Sequence, residues 1–169
     1  MSSTTRDRSA PSSPLWLAAA LLGLGVLVYA LDRGGTAYFL PDWLARAAGP
    51  TVFGTLGAHL PTFVHPFAFV LITAVILRPA PRQLLLICSA WFVIECAFEV
   101  GQWSPLGERI AGAVPGWFDG VPLLEATGNY FSRGTFDPLD ILSIALGVIG
   151  AYLVFRFAQR GDNHENNKK

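Results

Sequence analysis

Seven polar side chains stand in or beside stretches of this sequence that are otherwise apolar: His65, Glu95, Glu99, Gln102, Arg133, Asp137 and Asp140. Their types can do chemistry. An imidazole or a carboxyl group can act as a general base. A guanidinium can hold a phosphate or carboxylate, or stabilise an anionic transition state. Glu95, Glu99 and Gln102 are at i, i+4 and i+7 and so share one helix face. Asp137 and Asp140 flank Pro138, an arrangement that also suits plain capping of a helix N-terminus. His65, Glu95, Glu99 and Asp140 would offer a metal one nitrogen and several oxygens. No HExxH or paired-cysteine spacing backs such a site, and neither a metal nor a cofactor is expected. The chain also lacks a nucleophile elbow and a phosphate-loop pattern.

The elements that must position these groups are apolar. Of 169 residues, 52% are hydrophobic and 14% charged, against roughly a quarter charged in soluble domains. The apolar residues are blocked into four runs: 14–31, 60–77, 83–100 and 138–157. Each is long enough to cross ~30 Å of hydrocarbon at ~1.5 Å per residue. The expected fold is therefore an all-α membrane protein, a bundle of about four transmembrane helices spanning 14–157. Residues 1–13 read as a disordered tail and 158–169 as a polar tail, with 161–169 unstructured. Formal net charge is zero, which argues against a nucleic-acid partner. Cys88 and Cys96 lie in one run, about 12 Å apart on a single helix and too far apart for a disulfide.

Basic residues set the orientation. Arg6, Arg8, Arg78, Arg82, Arg156, Arg160, Lys168 and Lys169 would share one side, and Arg33, Arg46, Arg109 and Arg133 the other. The denser side is cytoplasmic by that rule, so both termini and the 78–82 turn face the cytoplasm. Loops 32–59 and 101–137 then face outward. A basic start, an apolar middle and "VYA" at 28–30 also fit a cleaved signal peptide. Either way the second run enters from outside. His65, Glu95, Glu99 and Asp140 then fall in one layer near the outer surface, while the inner halves carry no ionisable group. Charge within a span costs on the order of 3 kcal/mol and normally faces the bundle interior. His65 and Asp140 are the expected partners of Glu95 and Glu99, with Arg133 and Asp137 at the lid.

Packing signals complete the pattern. Ser143, Gly147 and Ala151 recur at four-residue steps, as in small-xxx-small helix contacts. Trp103, Trp117, Phe118, Tyr130 and Phe131 suit a membrane interface. The Gly- and Pro-punctuated stretch 104–131 is expected to lie on the surface or to cover the polar layer.

"HPFAF" in the second run, "EVGQ" ending the third and "RGTFDPLDILSIALGVIGAYL" entering the fourth resemble the VanZ-like membrane proteins over roughly 60–157. On that resemblance His65, Glu99, Gln102, Arg133 and Asp140 carry the family pattern, and Gly147 follows Asp140 by seven as the family's glycine does. It implies a multi-pass protein of a bacterial inner membrane, in a family whose namesake is associated with low-level teicoplanin resistance. It implies no particular reaction. Two departures stand out: a long gap between Gln102 and Arg133, and Ile144 where the family has an Asn. Glu95 is an addition.

Three functions follow as expectations. The polar layer binds a cell-envelope lipid, a glycan-lipid intermediate or a partner protein. Alternatively, it is the site of a membrane enzyme acting on a lipid-linked substrate. In the third, it ties helices together or relays protons. Oligomeric state is left open.

Overall fold

The computed structural model describes residues 13–32, 52–122 and 124–166. Residues 1–12 of the tail expected at 1–13, the loop residues 33–51 with Arg33 and Arg46, Leu123 and residues 167–169 lie outside the described residues; Ser13 already belongs to the first helix. All regular elements among the described residues are helical: α1 (Ser13–Asp32), α2 (Gly54–Leu77), α3 (Pro81–Gly101), α4 (Ser104–Ala113), α5 (Thr127–Arg133) and α6 (Pro138–Asn166). A short 3-10 turn, Gly116–Phe118, lies between α4 and α5. Among the described residues, four helices are long and apolar enough to cross a membrane: α1, α2, α3 and the Pro138–Arg160 part of α6.

Local chemistry explains the boundaries. Arg78 takes a left-handed conformation (φ 48°, ψ 56°), and its N–H bonds back to the Ala74 carbonyl, ending α2. Pro81 then stands at the start of α3, where no N–H is needed. Gln83 Oε1 accepts the Ala80 N–H at 2.8 Å and caps the new helix. The result is a tight antiparallel α2–α3 hairpin.

Two ends differ from the expected spans. α2 begins at Gly54 rather than 60. Residues 54–59, Gly-Thr-Leu-Gly-Ala-His, include no proline and no Asp, Glu, Lys or Arg that would stop a helix. Asp32, at the end of α1, also holds the approach: its carboxylate accepts the Val52 N–H at 2.6 Å and the Phe53 N–H at 2.9 Å. A carboxylate beside a helix N-terminus is electrostatically favourable. α6 continues to Asn166, past the expected end at 157 and into the stretch read as unstructured. Once a helix is nucleated, each further residue adds a hydrogen bond, so polar residues can follow an apolar span.

α2 is the central helix and packs against α1, α3 and α6. Phe67, Leu71, Ala74, Leu84, Cys88, Ala151 and Phe155 form a buried apolar core toward the Arg78 turn. Gly147 lets α6 approach α2 closely, because a Cβ there would run into the Phe63 carbonyl oxygen. That is the small-residue contact expected from the four-residue steps. Trp91 adds a tie between α3 and α2, donating to Thr73 Oγ1 at 3.1 Å while its ring lies 4.8 Å from that of Phe69.

Candidate functional site

At the end of the bundle away from the Arg78 turn, the helices border a half-open cavity of about 460 Å³. α1 contributes Val26 and Tyr29, and α2 contributes Thr62 and His65. Glu95, Phe98 and Glu99 come from α3, with Thr127, Tyr130 and Phe131 from α5 and Ile144 from α6. Three of the seven sequence-identified residues, His65, Glu95 and Glu99, thus share one chamber. They reach it because α2 and α3 are antiparallel, which brings the first half of one level with the second half of the other.

Glu99 is buried, at 4% exposure. Its Oε1 accepts the Asp137 N–H at 2.8 Å, and its Oε2 faces Gln102 Nε2 at 3.4 Å. Gln102 also donates to the Tyr130 hydroxyl at 2.9 Å. Gln102 therefore lies behind the cavity wall, linking Glu99 to α5. Its packing leaves no room at Gly134, where a Cβ would overlap Gln102 Oε1. Burial, and next the nearby Glu99 carboxylate, push the Tyr130 hydroxyl above its ordinary range, so it remains a neutral phenol.

Asp140 pairs differently from the sequence expectation. Its Oδ1 lies 2.8 Å from His59 Nδ1 and 2.8 Å from Thr62 Oγ1. Thr62 Oγ1 is also 2.7 Å from the His59 carbonyl, and its one proton serves one acceptor at a time. The histidine bound to Asp140 is thus His59, not His65. With the second span started at 60, His59 fell outside it, yet "HLPTFVH" puts His59, Thr62 and His65 at i, i+3 and i+6. That spacing was the available signal. Asp140 does not line the cavity but touches it through Thr62.

Asp137 acts as a cap. Its carboxylate accepts the Leu139 N–H at 2.9 Å, at the start of α6. It is the backbone N–H of Asp137, rather than its side chain, that joins Glu99. Arg133 is exposed in the last turn of α5 and enters no ion pair among the described residues. A cation there complements the helix C-terminus, and the outward face of a short helix leaves it at the rim. Among the described residues, His59, Asp137 and Asp140 come within 4.8 Å of one another with one ligand atom each. Asp140 Oδ1 already accepts from His59 and Thr62.

The 104–131 stretch divides. Trp103 and Trp117 are exposed, as interface rings would be. Tyr130 and Phe131 instead turn inward and line the cavity, with Phe98 and Phe131 stacked at 5.9 Å. α4 packs on α5 and holds it over the end of α3. Tyr29 of α1 and Thr127 of α5 were also absent from the sequence-based set, since neither type signals a site by spacing alone.

The arrangement gives a half-open chamber lined by carboxyl, imidazole and hydroxyl groups together with aromatic and aliphatic side chains. Comparison with family models, curated proteins and solved structures finds no match to this chain.

Proposed function

We propose that this chain is a multi-pass bacterial inner-membrane protein of the VanZ-like kind whose cavity binds a cell-envelope lipid or lipid-linked intermediate. Both termini lie in the cytoplasm in this reading, so the cavity falls in the outer half of the membrane. The excess of basic residues at the termini and the 78–82 turn supports that orientation. The motifs around His65, Glu99, Gln102 and Asp140 support the family reading. One observation carries the functional reading: the roughly 460 Å³ cavity joins Glu95, Glu99 and His65 to an apolar wall of Phe98, Phe131 and Ile144. Such a mixed lining suits an amphiphile, with a polar head to bond and a chain to bury.

The test is direct. Wild-type protein purified in a mild nonionic detergent retains a lipid that mass spectrometry identifies. Thr127→Trp, which fills the cavity from α5, loses it. Equal retention by the variant would remove the reading. Cysteines placed in the 78–82 turn should be labelled only from the cytoplasmic side; labelling from outside would invert the topology.

A second reading, a membrane enzyme, rests on His65 sharing one chamber with Glu95 and Glu99, an acid–base set. Turnover of a lipid-linked substrate would then vanish in a folded Glu99→Gln protein. Persistence of turnover in that variant would exclude the carboxylate from the chemistry.

A further inference from the structure

We infer that the cavity selects an amphiphile whose headgroup carries an ammonium group, and rejects anionic headgroups; this rests on the lipid-binding reading above. The first support is charge. Two carboxyl groups, Glu95 and Glu99, face the cavity, and among the described residues no Lys or Arg lines it. Arg133, the nearest sequence candidate for a phosphate contact, is exposed at the rim. A charge removed from water is costly unless paired. Glu99 is already bonded by Gln102 and the Asp137 N–H, and His65 in the same lining enters no ion pair among the described residues, so Glu95 is the acid left to meet a ligand. Glu95 makes no hydrogen bond or ion pair among the described residues, so its carboxyl group remains available to one.

The second support is independent of the acids. Phe98, Tyr130 and Phe131 all line the cavity. Their ring centroids lie 5.9 Å apart for Phe98–Phe131, 5.1 Å for Tyr130–Phe131 and 6.1 Å for Phe98–Tyr130. Three mutually contacting rings beside a carboxylate form the kind of aromatic corner that attracts a cation through the ring quadrupoles. A phosphate or carboxylate headgroup would meet the glutamates with no Lys or Arg among the described lining residues to pair it. The hydroxyls of Tyr29, Thr62 and Thr127 can accept the remaining ammonium protons. Val26 and Ile144 supply apolar surface for the first methylenes of a chain.

The experiment uses three single-chain probes of equal length, hexadecylamine, hexadecanol and hexadecyl phosphate, added to the full-length protein in maltoside micelles and followed by native mass spectrometry. The amine should bind about tenfold more tightly than the alcohol, the scale of one charge-assisted bond, and the phosphate least. Glu95→Gln should erase the amine's advantage, and Glu95→Lys should reverse the order in favour of the phosphate. Phosphate binding equal to that of the amine, or an amine advantage unchanged in Glu95→Gln, would overturn the headgroup assignment while leaving lipid binding in place. Failure of all three probes, together with no lipid lost in Thr127→Trp, would overturn the lipid-binding reading itself, and the headgroup assignment with it.

Discussion

The same helices behave differently at their two ends. Toward the Arg78 turn, α2, α3 and α6 meet through Leu71, Ala74, Leu84, Ala151 and Phe155, with no polar side chain in the contact cluster. Toward α4 and α5 they part around a cavity, and hydrogen bonds replace apolar contact: His59 and Thr62 to Asp140, and Gln102 to Glu99 and Tyr130. The contrast has a physical cause. Small residues such as Ala74 and Ala151 allow helix backbones to approach and gain dispersion contact. Rings and branched polar groups hold them apart and leave space that only specific bonds can bridge. One end is therefore closely packed, and the other is left with a cavity.

The largest effect should come from the packed end. Phe155, 2% exposed, should cost about 3 kcal/mol when truncated to alanine, because the site cannot collapse. Phe131→Ala at the open end should cost only about 1 kcal/mol, since it widens a space already present. Denaturant titration in detergent compares the two, and a larger loss at Phe131 would break the contrast.

Next comes the bonded end. Asp140→Ala leaves His59 and Thr62 without their acceptor and should cost about 2 kcal/mol. In a double-mutant cycle, His59→Ala should add little on top of Asp140→Ala. Fully additive losses would mean that the 2.8 Å contact contributes nothing.

A smaller effect concerns pH. Tyr130 is held protonated by burial and by Glu99, so its hydroxyl ionises at higher pH folded than unfolded. Its contribution to stability is full below the unfolded value of about 10 and is lost as pH climbs above it. Tyr130→Phe should flatten the alkaline decline of the unfolding midpoint. An unchanged decline would assign it to other groups.

The smallest effect should be at the rim. Arg133→Ala should leave both the unfolding midpoint and retained lipid unchanged, because the guanidinium stands outside the cavity and its bonds. Loss of lipid in that variant would return Arg133 to the site and sharpen the boundary between rim and chamber.

Composition and run length alone were enough to read the helical class and the four long apolar helices, because an apolar run of about 20 residues is too long for an ordinary strand. The small-residue stripe was legible for a similar reason: it is a one-dimensional pattern on one helix. So was the convergence of His65, Glu95 and Glu99, once α2 and α3 were taken as antiparallel and their depths compared. The partners were not legible. Depth along a helix says which groups share a layer, but rotation about the helix axis decides which of them touch. That rotation chose His59 over His65 for Asp140, and the backbone of Asp137 over its side chain for Glu99.

The short helices went further beyond the reach of pattern. In 104–131 the rings read equally well as interface anchors or as cover, since an isolated aromatic carries no directional period. Only the packing of α4 on α5 decided that Tyr130 and Phe131 turn inward while Trp117 stays out. The sequence by itself determined that His65, Glu95 and Glu99 would lie toward one end of an antiparallel bundle, because position along a helix follows from residue count. The tertiary structure alone decided which of them face a common space, because that depends on helix rotation and on a loop folding back, neither of which is local in the chain.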